Sequence, residues 1–573
     1  MFGKRFEYML QKTIKPSDGI PGEPSSIVSA MLGHALNEPD RLAFCQLTTE
    51  GTEDQQWFTW GQIAHWVWDA CTAIDATNLP NGAHIATVAK NSVEWFVLDF
   101  ACQVLGHVHV AIDPQWPDAM VARLVELSDA RLVYSQNVQH SAHPCRQPAT
   151  KLECQIDWNT PLLRHDDVAT LIERSKAIFG NASAQMLFTS GTSGEPKGVL
   201  LSHRNLVSNA LAKLQAAPQF AGDLRLNILP FCHAYARTCE LSTWILSNSR
   251  LAIARDWSDF QRQASALQPT LLNLVPHLAH KLLRQEKNQP PLTPKAVAAR
   301  LGGKVRLLQI GGAAIPDGLW YELEKCGLPP LQGYGLTEAS PVVCSNRAGQ
   351  QRPGTIGPPV AGVELRVDAK GQLWVKGDGV MCGYYGDPQA TQTRIQDGWL
   401  ATGDLVERDA HGHYRLVGRI SEVIVLSTGF KVSPEVIEGR LAAIAGVARA
   451  MIVGQDQPYV LAIIWPDWSA LPSNLFGDSD HRPSSPNLEV CRLALADSIR
   501  QCLADLPAFM HPRKLLLVPE STGSASDLVT AKGSLRRKLA TARLQSQIDE
   551  AYVQFRPIMT NAERTTVKRQ ADA

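Results

Sequence analysis

Short segments rich in valine and isoleucine alternate with helical-period segments between residues 84 and 275, and no other property of the chain restricts its fold as much. "HIATVAK" (84–90) and "HVHVAI" (107–112) have the unbroken apolar character of buried parallel strands. "NSVEWFVLDFACQVLG" (91–106) lies between them with the length of a crossover helix, so the three read as one βαβ unit. "DAMVARLVELSD" followed by "RLVYSQ" repeats helix then strand. "RLNILPF", "SRLAIA" and "TLLNLV" carry the series on to residue 275.

Near residue 360 the period changes. "VELRVDAKGQLWVKGDGVMCGYYG" (363–386) alternates at period two around a D-A-K-G turn, which predicts antiparallel strands. "HYRLVGRISEVIVLSTGFKVSP" opens a second antiparallel stretch, and "PEVIEGRLAAI" is an amphipathic helix behind a proline start. At 573 residues the chain is too long for a single core. The coarse picture is α/β: a large N-terminal α/β body and a smaller C-terminal α+β domain that meet near Gly418, followed by a polar tail.

Composition excludes several functional classes. Lys+Arg and Asp+Glu both number 55, so there is no electrostatic reason to expect nucleic acid or an anionic membrane as the main partner. The twelve cysteines are scattered, with no C-x-x-C pair, and indicate neither a zinc site nor a disulfide frame. "MFGKRFEYMLQKTIKPSDG" lacks the apolar core of a secretory signal, and no apolar run approaches the ~20 residues of a membrane helix. A cytoplasmic protein is expected, with room for peripheral membrane contact through a surface patch.

"FTSGTSGEPKGV" (188–199) concentrates three glycines, four hydroxyl residues and one lysine. It follows the strand-like "AQMLF" and precedes "SHRNLVSNALAKL", in which Ser202 can cap a helix. Amides freed by the glycines, hydroxyls and one ammonium suit a polyphosphate. The loop is not a P-loop, because Lys197 stands three residues past Gly194 with Pro196 between them.

This stretch resembles the signature loop of the adenylate-forming superfamily, which includes acyl-CoA synthetases, luciferases and peptide-synthetase adenylation domains. Further segments resemble the superfamily's motifs in the same order: "GGAAIP" (311–316), "YGLTEAS" (334–340), "TGD" (402–404) and "GRISEVIVLSTGFKVSPEVIE" (418–438). The resemblance covers residues 40–545, and within the superfamily the chain looks most like long-chain fatty-acid–CoA ligases. It implies a ligase that uses ATP, Mg²⁺ and coenzyme A. It also implies an α/β fold with a large N-terminal body of α/β subdomains at 1–417 (mixed sheets flanked by helices plus a small β-barrel-like subdomain), a hinge at 418–421, a smaller, mobile C-terminal α+β domain at 422–555 and a polar tail at 556–573. Thr189, Ser190, Gly191, Thr192, Ser193, Gly194 and Lys197 would surround the phosphates, and Gly312, Ala313 and Ala314 would flank adenine. Tyr334 would stack on the base beside Gly335, Thr337 would reach the phosphate, and Glu338 would ligate Mg²⁺ together with the Thr189 hydroxyl. Asp404 would bind both ribose hydroxyls, with Arg419 nearby.

The resemblance also bears on acid and acceptor. "LPFCHAYARTCEL" (229–241) sits where fatty-acyl ligases carry L-P-x-x-H-x-x-x-R, which would put His233 at the acyl entrance. Amino-acid-activating relatives carry an aspartate there; this chain does not, so a fatty or aryl acid is favoured. Coenzyme A is the default acceptor; an acyl-carrier protein, the β-lactone-forming chemistry of relatives, and a degenerate nucleotide- or lipid-binding homologue are the alternatives. Two positions depart from the family. Ser421 occupies the hinge position usually held by Asp or Lys. In "LVTAKGSLRRKL" (528–539) the mobile catalytic lysine of the small domain falls on Lys532, with Lys538 or a lost lysine as alternatives.

Overall fold

Seven strands form the first sheet of the computed structural model, which describes residues 24–47, 55–136, 150–178, 180–190, 196–283, 293–467, 488–518, 528 and 535–553. Strand β1 (His84–Val88) leads into helix α1 (Val93–Leu105) and strand β2 (Val108–Ile112), and β1 and β2 pair in parallel. Strand β3 (Ala130–Ser135) flanks β1 in parallel, and β4 (Ser183–Ser190) flanks β2 in the same sense. The expected βαβ unit is present.

Local sequence explains where α1 starts and stops. The Ser92 hydroxyl accepts from the Trp95 N–H at 3.3 Å, and the helix ends on Gly106 in the left-handed region (φ 72°), which a side chain would resist. Both its faces are covered, with Trp95, Phe96 and Phe100 fully buried. Buried with them is Asp99, which pairs with Arg237 at 2.8 Å and approaches His109 at 3.5 Å. Burial pushes the His109 imidazole down to about 4 against the opposing pull of Asp99. Arg237 closes the L-P-x-x-H-x-x-x-R stretch, so that motif contributes an internal ion pair as well as a histidine.

The phosphate-loop region differs from the strand–loop–helix that its sequence suggests. After the loop the chain forms another strand, β5 (Pro196–Ser202), antiparallel to β4, before helix α2 (His203–Ala216) begins. Ser202 caps α2 as expected, in a reciprocal pair with Asn205. Lys197 therefore sits on a strand, directly opposite Thr189.

The second sheet contains β6 (Leu307–Ile310) and β7 (Leu331–Gly335), parallel neighbours, with β8 (Val342–Ser345) antiparallel at its edge. Strand β9 (Gly383–Tyr384) extends the first sheet at β5 and is followed by helix α3 (Pro388–Arg394). Strands β10 (Trp399–Arg408) and β11 (Tyr414–Arg419) belong to a five-stranded curled antiparallel sheet.

A further three-stranded sheet lies in the C-terminal part, and its middle strand, Leu461–Pro466, shows why it needs helices on both sides. Leu461, Ile463 and Trp465 join one apolar cluster with Leu544 and Ile548, whereas Ala462 and Ile464 join another with Ile437 and Leu495. Among the described residues no helix is long and apolar enough to cross a membrane.

Candidate active site

Three sequence-distant motifs meet at one carboxylate. Asp404, on β10, is wholly enclosed; it accepts a hydrogen bond from the Tyr334 hydroxyl and pairs with the Arg419 Nε at 3.0 Å. The pairing of β10 with β11 places Arg419 directly across from Asp404. The Asp404 N–H donates to the Thr402 hydroxyl at 3.1 Å, fixing the backbone of the T-G-D turn. Burial first, and then the adjacent Asp404 carboxylate, pushes the Tyr334 phenol well above its usual range, so it stays protonated and donates.

Tyr334 ends on a backbone that tolerates no side chain. A Cβ at Gly335 would lie 1.8 Å from the Pro341 carbonyl oxygen, so the motif needs glycine for β7 to fold back towards β8. The single turn Thr337–Ala339 fits between these strands and carries Glu338. Gly312, Ala313 and Ala314 form an exposed loop at the end of β6, beside β7, with Gly312 at φ 80°. Together they make a bare ledge at the carboxyl ends of parallel strands, where α/β sheets bind ligands.

Glu338 is 8% exposed, and the Tyr384 hydroxyl, donating at 2.8 Å, is the one polar partner of its carboxylate among the described residues. A buried carboxylate with a single neutral donor keeps lone pairs for a hard cation, so the residue fits Mg²⁺. Lys197 pairs with Asp387 at 3.1 Å, and its ammonium lies 5.1 Å from the centre of the Tyr384 ring. Thr189 is half-buried opposite Lys197. Ser190 pairs through its backbone with Pro196. Gly191, Thr192, Ser193 and Gly194 lie outside the described residues, as does Lys532.

His233 lies where β2 ends. Its Nε2 is 3.4 Å from the buried Asp113 carboxylate, and donor atoms of Asp113, Cys232 and His233 lie within 4.8 Å of one another. Ser421 falls in the turn Ile420–Glu422 that follows β11. Lys538 is on the helix Arg537–Val553.

Sequence reasoning missed three residues that touch these groups: Asp113, Tyr384 and Asp387. Asp387 precedes a proline at the start of α3 and caps it, accepting from the Ala390 N–H. "D-P" signals a helix start, and nothing in it reveals that the second carboxylate oxygen is aimed at Lys197.

The chain belongs to the AMP-binding enzyme family. The family's model matches residues 33–385, and that of the AMP-binding enzyme C-terminal domain matches residues 421–556. The long-chain-fatty-acid–CoA ligase FadD15 of Mycobacterium tuberculosis is 25% identical to it, an alignment covering 94% of this chain and 98% of that one. The long-chain-fatty-acid–CoA ligase 1 of Cavia porcellus is 26% identical, covering 82% of this chain and 78% of its own. Among solved structures, the anthranilate CoA ligase AuaEII in complex with anthranoyl-AMP superposes with a TM-score of 0.74 at 20% identity, over 91% of this chain and 98% of that one. ATP-bound MatB from Rhodopseudomonas palustris superposes with a TM-score of 0.70 at 22% identity, over 91% and 99%. These superpositions establish the shared fold.

Proposed function

We propose that this AMP-forming acid–thiol ligase joins a carboxylic acid, with a fatty acid favoured, to the α-phosphorus of ATP and then passes the acyl group to coenzyme A. In the first step a carboxylate oxygen attacks the α-phosphorus, the bond to the bridging oxygen breaks, and pyrophosphate leaves. In the second, the CoA sulfur attacks the acyl carbon and AMP leaves, giving the thioester. The convergence of Tyr334, Asp404 and Arg419 on one enclosed carboxylate carries this reading. Tyr334, 70 positions before Asp404, and Arg419, 15 positions after it, meet at the residue that the family resemblance assigns to ribose.

Asp404 takes the two ribose hydroxyls, as a carboxylate with two acceptor oxygens can. The ledge of Gly312, Ala313 and Ala314 with Tyr334 takes the base. Thr189, Ser190, Gly191, Thr192, Ser193, Gly194, Thr337 and Lys197 hold the phosphates in line for attack. Glu338 and the Thr189 hydroxyl are the residues that would hold Mg²⁺, which supplies charge neutralisation at the phosphates when bound. His233, held by Asp113, guides the acid at its entrance. Lys532 arrives with the small domain, 422–555, which turns on residues 418–421 around Ser421 relative to the body, 1–417.

Pyrophosphate exchange into ATP, measured across acids from acetate to oleate together with aromatic acids and amino acids, tests the reading. Exchange that depends on a fatty acid supports it; exchange with amino acids alone means that His233 is misassigned. No exchange with any acid refutes the ligase. Adding CoA or an acyl-carrier protein to the productive acid then identifies the acceptor.

A further inference from the structure

The strand β9 belongs to none of the motifs that point to nucleotide chemistry, yet it touches two of their residues. It is laid along β5 with Gly383 opposite Leu200 and Tyr384 opposite Val199. The Cys382 N–H donates to the Leu200 carbonyl at 2.9 Å and the Tyr385 N–H to the Gly198 carbonyl at 2.8 Å, so the strap is fastened on both sides of Tyr384. The Tyr384 N–H is held by the Thr391 hydroxyl at 2.9 Å, and that hydroxyl donates to the Asp387 carbonyl at 2.9 Å. A Cβ at Gly198 would meet the Met186 sulfur at 2.8 Å.

From this fixed backbone Tyr384 projects between a cation and an anion. Its hydroxyl donates to Glu338 Oε1 at 2.8 Å, and the face of its ring lies under the Lys197 ammonium. Asp387 divides its oxygens: Oδ1 accepts from the Ala390 N–H at 2.8 Å, capping α3, and Oδ2 takes Lys197 at 3.1 Å. The helix amide and then Lys197 hold the Asp387 carboxyl below its ordinary range, so it is ionised and opposes any phosphate that Lys197 would bind. The pair is a third to two-fifths exposed, the kind of ion pair that costs little to break.

We propose that Asp387 and Tyr384 are positioning residues of the phosphate site: Asp387 is the counter-ion that Lys197 exchanges for the polyphosphate, and Tyr384 holds one oxygen of Glu338 so that the other faces the metal. The proposal rests on the nucleotide reading above. A ligand whose binding requires Lys197 to leave Asp387 loses affinity by the fraction of protein in which the lysine is paired. A Glu338 carboxylate already oriented by a phenol needs no ordering when a cation arrives.

Isothermal titration of ATP, without and with Mg²⁺, tests both halves on the full chain. Asp387→Asn keeps an oxygen to cap α3 and removes the charge, so the fold is preserved. It should tighten metal-free ATP binding about two- to fivefold, and by less in a Lys197→Met background. Tyr384→Phe keeps the ring under Lys197 and removes only the donor. It should leave metal-free binding unchanged and raise the Mg²⁺ needed for half-maximal tightening about two- to fivefold. Unchanged or weaker ATP binding by Asp387→Asn overturns the exchange, as does an equal gain with and without Lys197. An unchanged Mg²⁺ requirement in Tyr384→Phe overturns the role of the phenol. ATP binding by the wild type that is indifferent to all three substitutions leaves the ligase standing and removes this proposal. No ATP binding by the wild type removes both.

Discussion

At the proposed ribose end of the site the carboxylate Asp404 is 3% exposed and bonded to Tyr334 and Arg419; at the proposed phosphate end the cation Lys197 is 30% exposed and its partner Asp387 is 43% exposed. Both ends carry an ion pair in the ligand-free protein, but the pairs differ in kind. Asp404 is held by groups that orient it, and it keeps acceptor capacity for further donors. Lys197 is held by a group of the same charge as its expected ligand. Enclosure of Asp404 and its hydrogen bond from Tyr334 make that carboxylate hard to turn, although Arg419 itself is 54% exposed, and solvent makes the second pair easy to exchange. On the proposed reading, the nucleoside end is set in advance, whereas the phosphate end has to change partners when ATP binds.

The largest effect should come from disturbing the rigid end. Asp404→Ala removes two charge-assisted hydrogen bonds to ribose, about 1.5–3 kcal/mol each, so ATP affinity should fall by roughly two to four orders of magnitude. It also strands the Tyr334 hydroxyl and frees Arg419, and the loss should persist when Mg²⁺ is omitted. Titration of ATP with and without the metal measures it. A loss seen only with Mg²⁺ would move Asp404 to the phosphate end and break the comparison.

The next effect concerns the end that changes partners. If Lys532 is the cation that the small domain delivers to the phosphates, Lys532→Ala should slow acid-dependent pyrophosphate exchange by about 10²–10³-fold, the scale of losing one preorganised charge at the reacting group. The same variant should still convert supplied acyl-AMP and CoA to acyl-CoA. Equal loss in both half-reactions would mean a damaged small domain. No loss in either would assign the task to another residue such as Lys538, or to none.

How these ends came to be legible differs for the same physical reasons. The parallel core was readable because β1 and β2 are buried on both faces, leaving unbroken apolar runs that bracket a helix of crossover length. Tyr334, Glu338 and Asp404 could be named as candidates because they lie in short motifs that resemble the family's, in one of which Gly335 is imposed by backbone contact with Pro341. The strand β5 was hidden inside a loop signature, since Pro196, Lys197 and Gly198 are poor strand formers held there by pairing with β4. Tyr384 and Asp387 were hidden more deeply. Their roles depend on a β9–β5 pairing across more than 180 residues, and pairing at that separation leaves no local trace.

The smallest effect probes whether the ribose end is uniformly rigid. Arg419 is 54% exposed and serves more than Asp404, because Glu435 at the start of the helix Pro434–Leu441 also feels it. Burial, and then the neighbouring Glu422, pushes the Glu435 carboxyl up to about 7, with Arg419 opposing. An acid whose folded value lies above its unfolded one destabilises the native state when ionised. Stability is therefore lost as pH rises from the ordinary glutamate value, 4.5, through about 7. Glu435→Gln should melt a few degrees above the wild type at pH 8 and level with it near pH 4, with the difference opening between those values. Thermal unfolding followed at a series of pH values reads this directly. A gain that is the same at every pH would show that Glu435 is not held protonated. Arg419 would then stand between two ionised carboxylates, Asp404 and Glu435, and would tie the outer side of the proposed ribose end to the helix Pro434–Leu441.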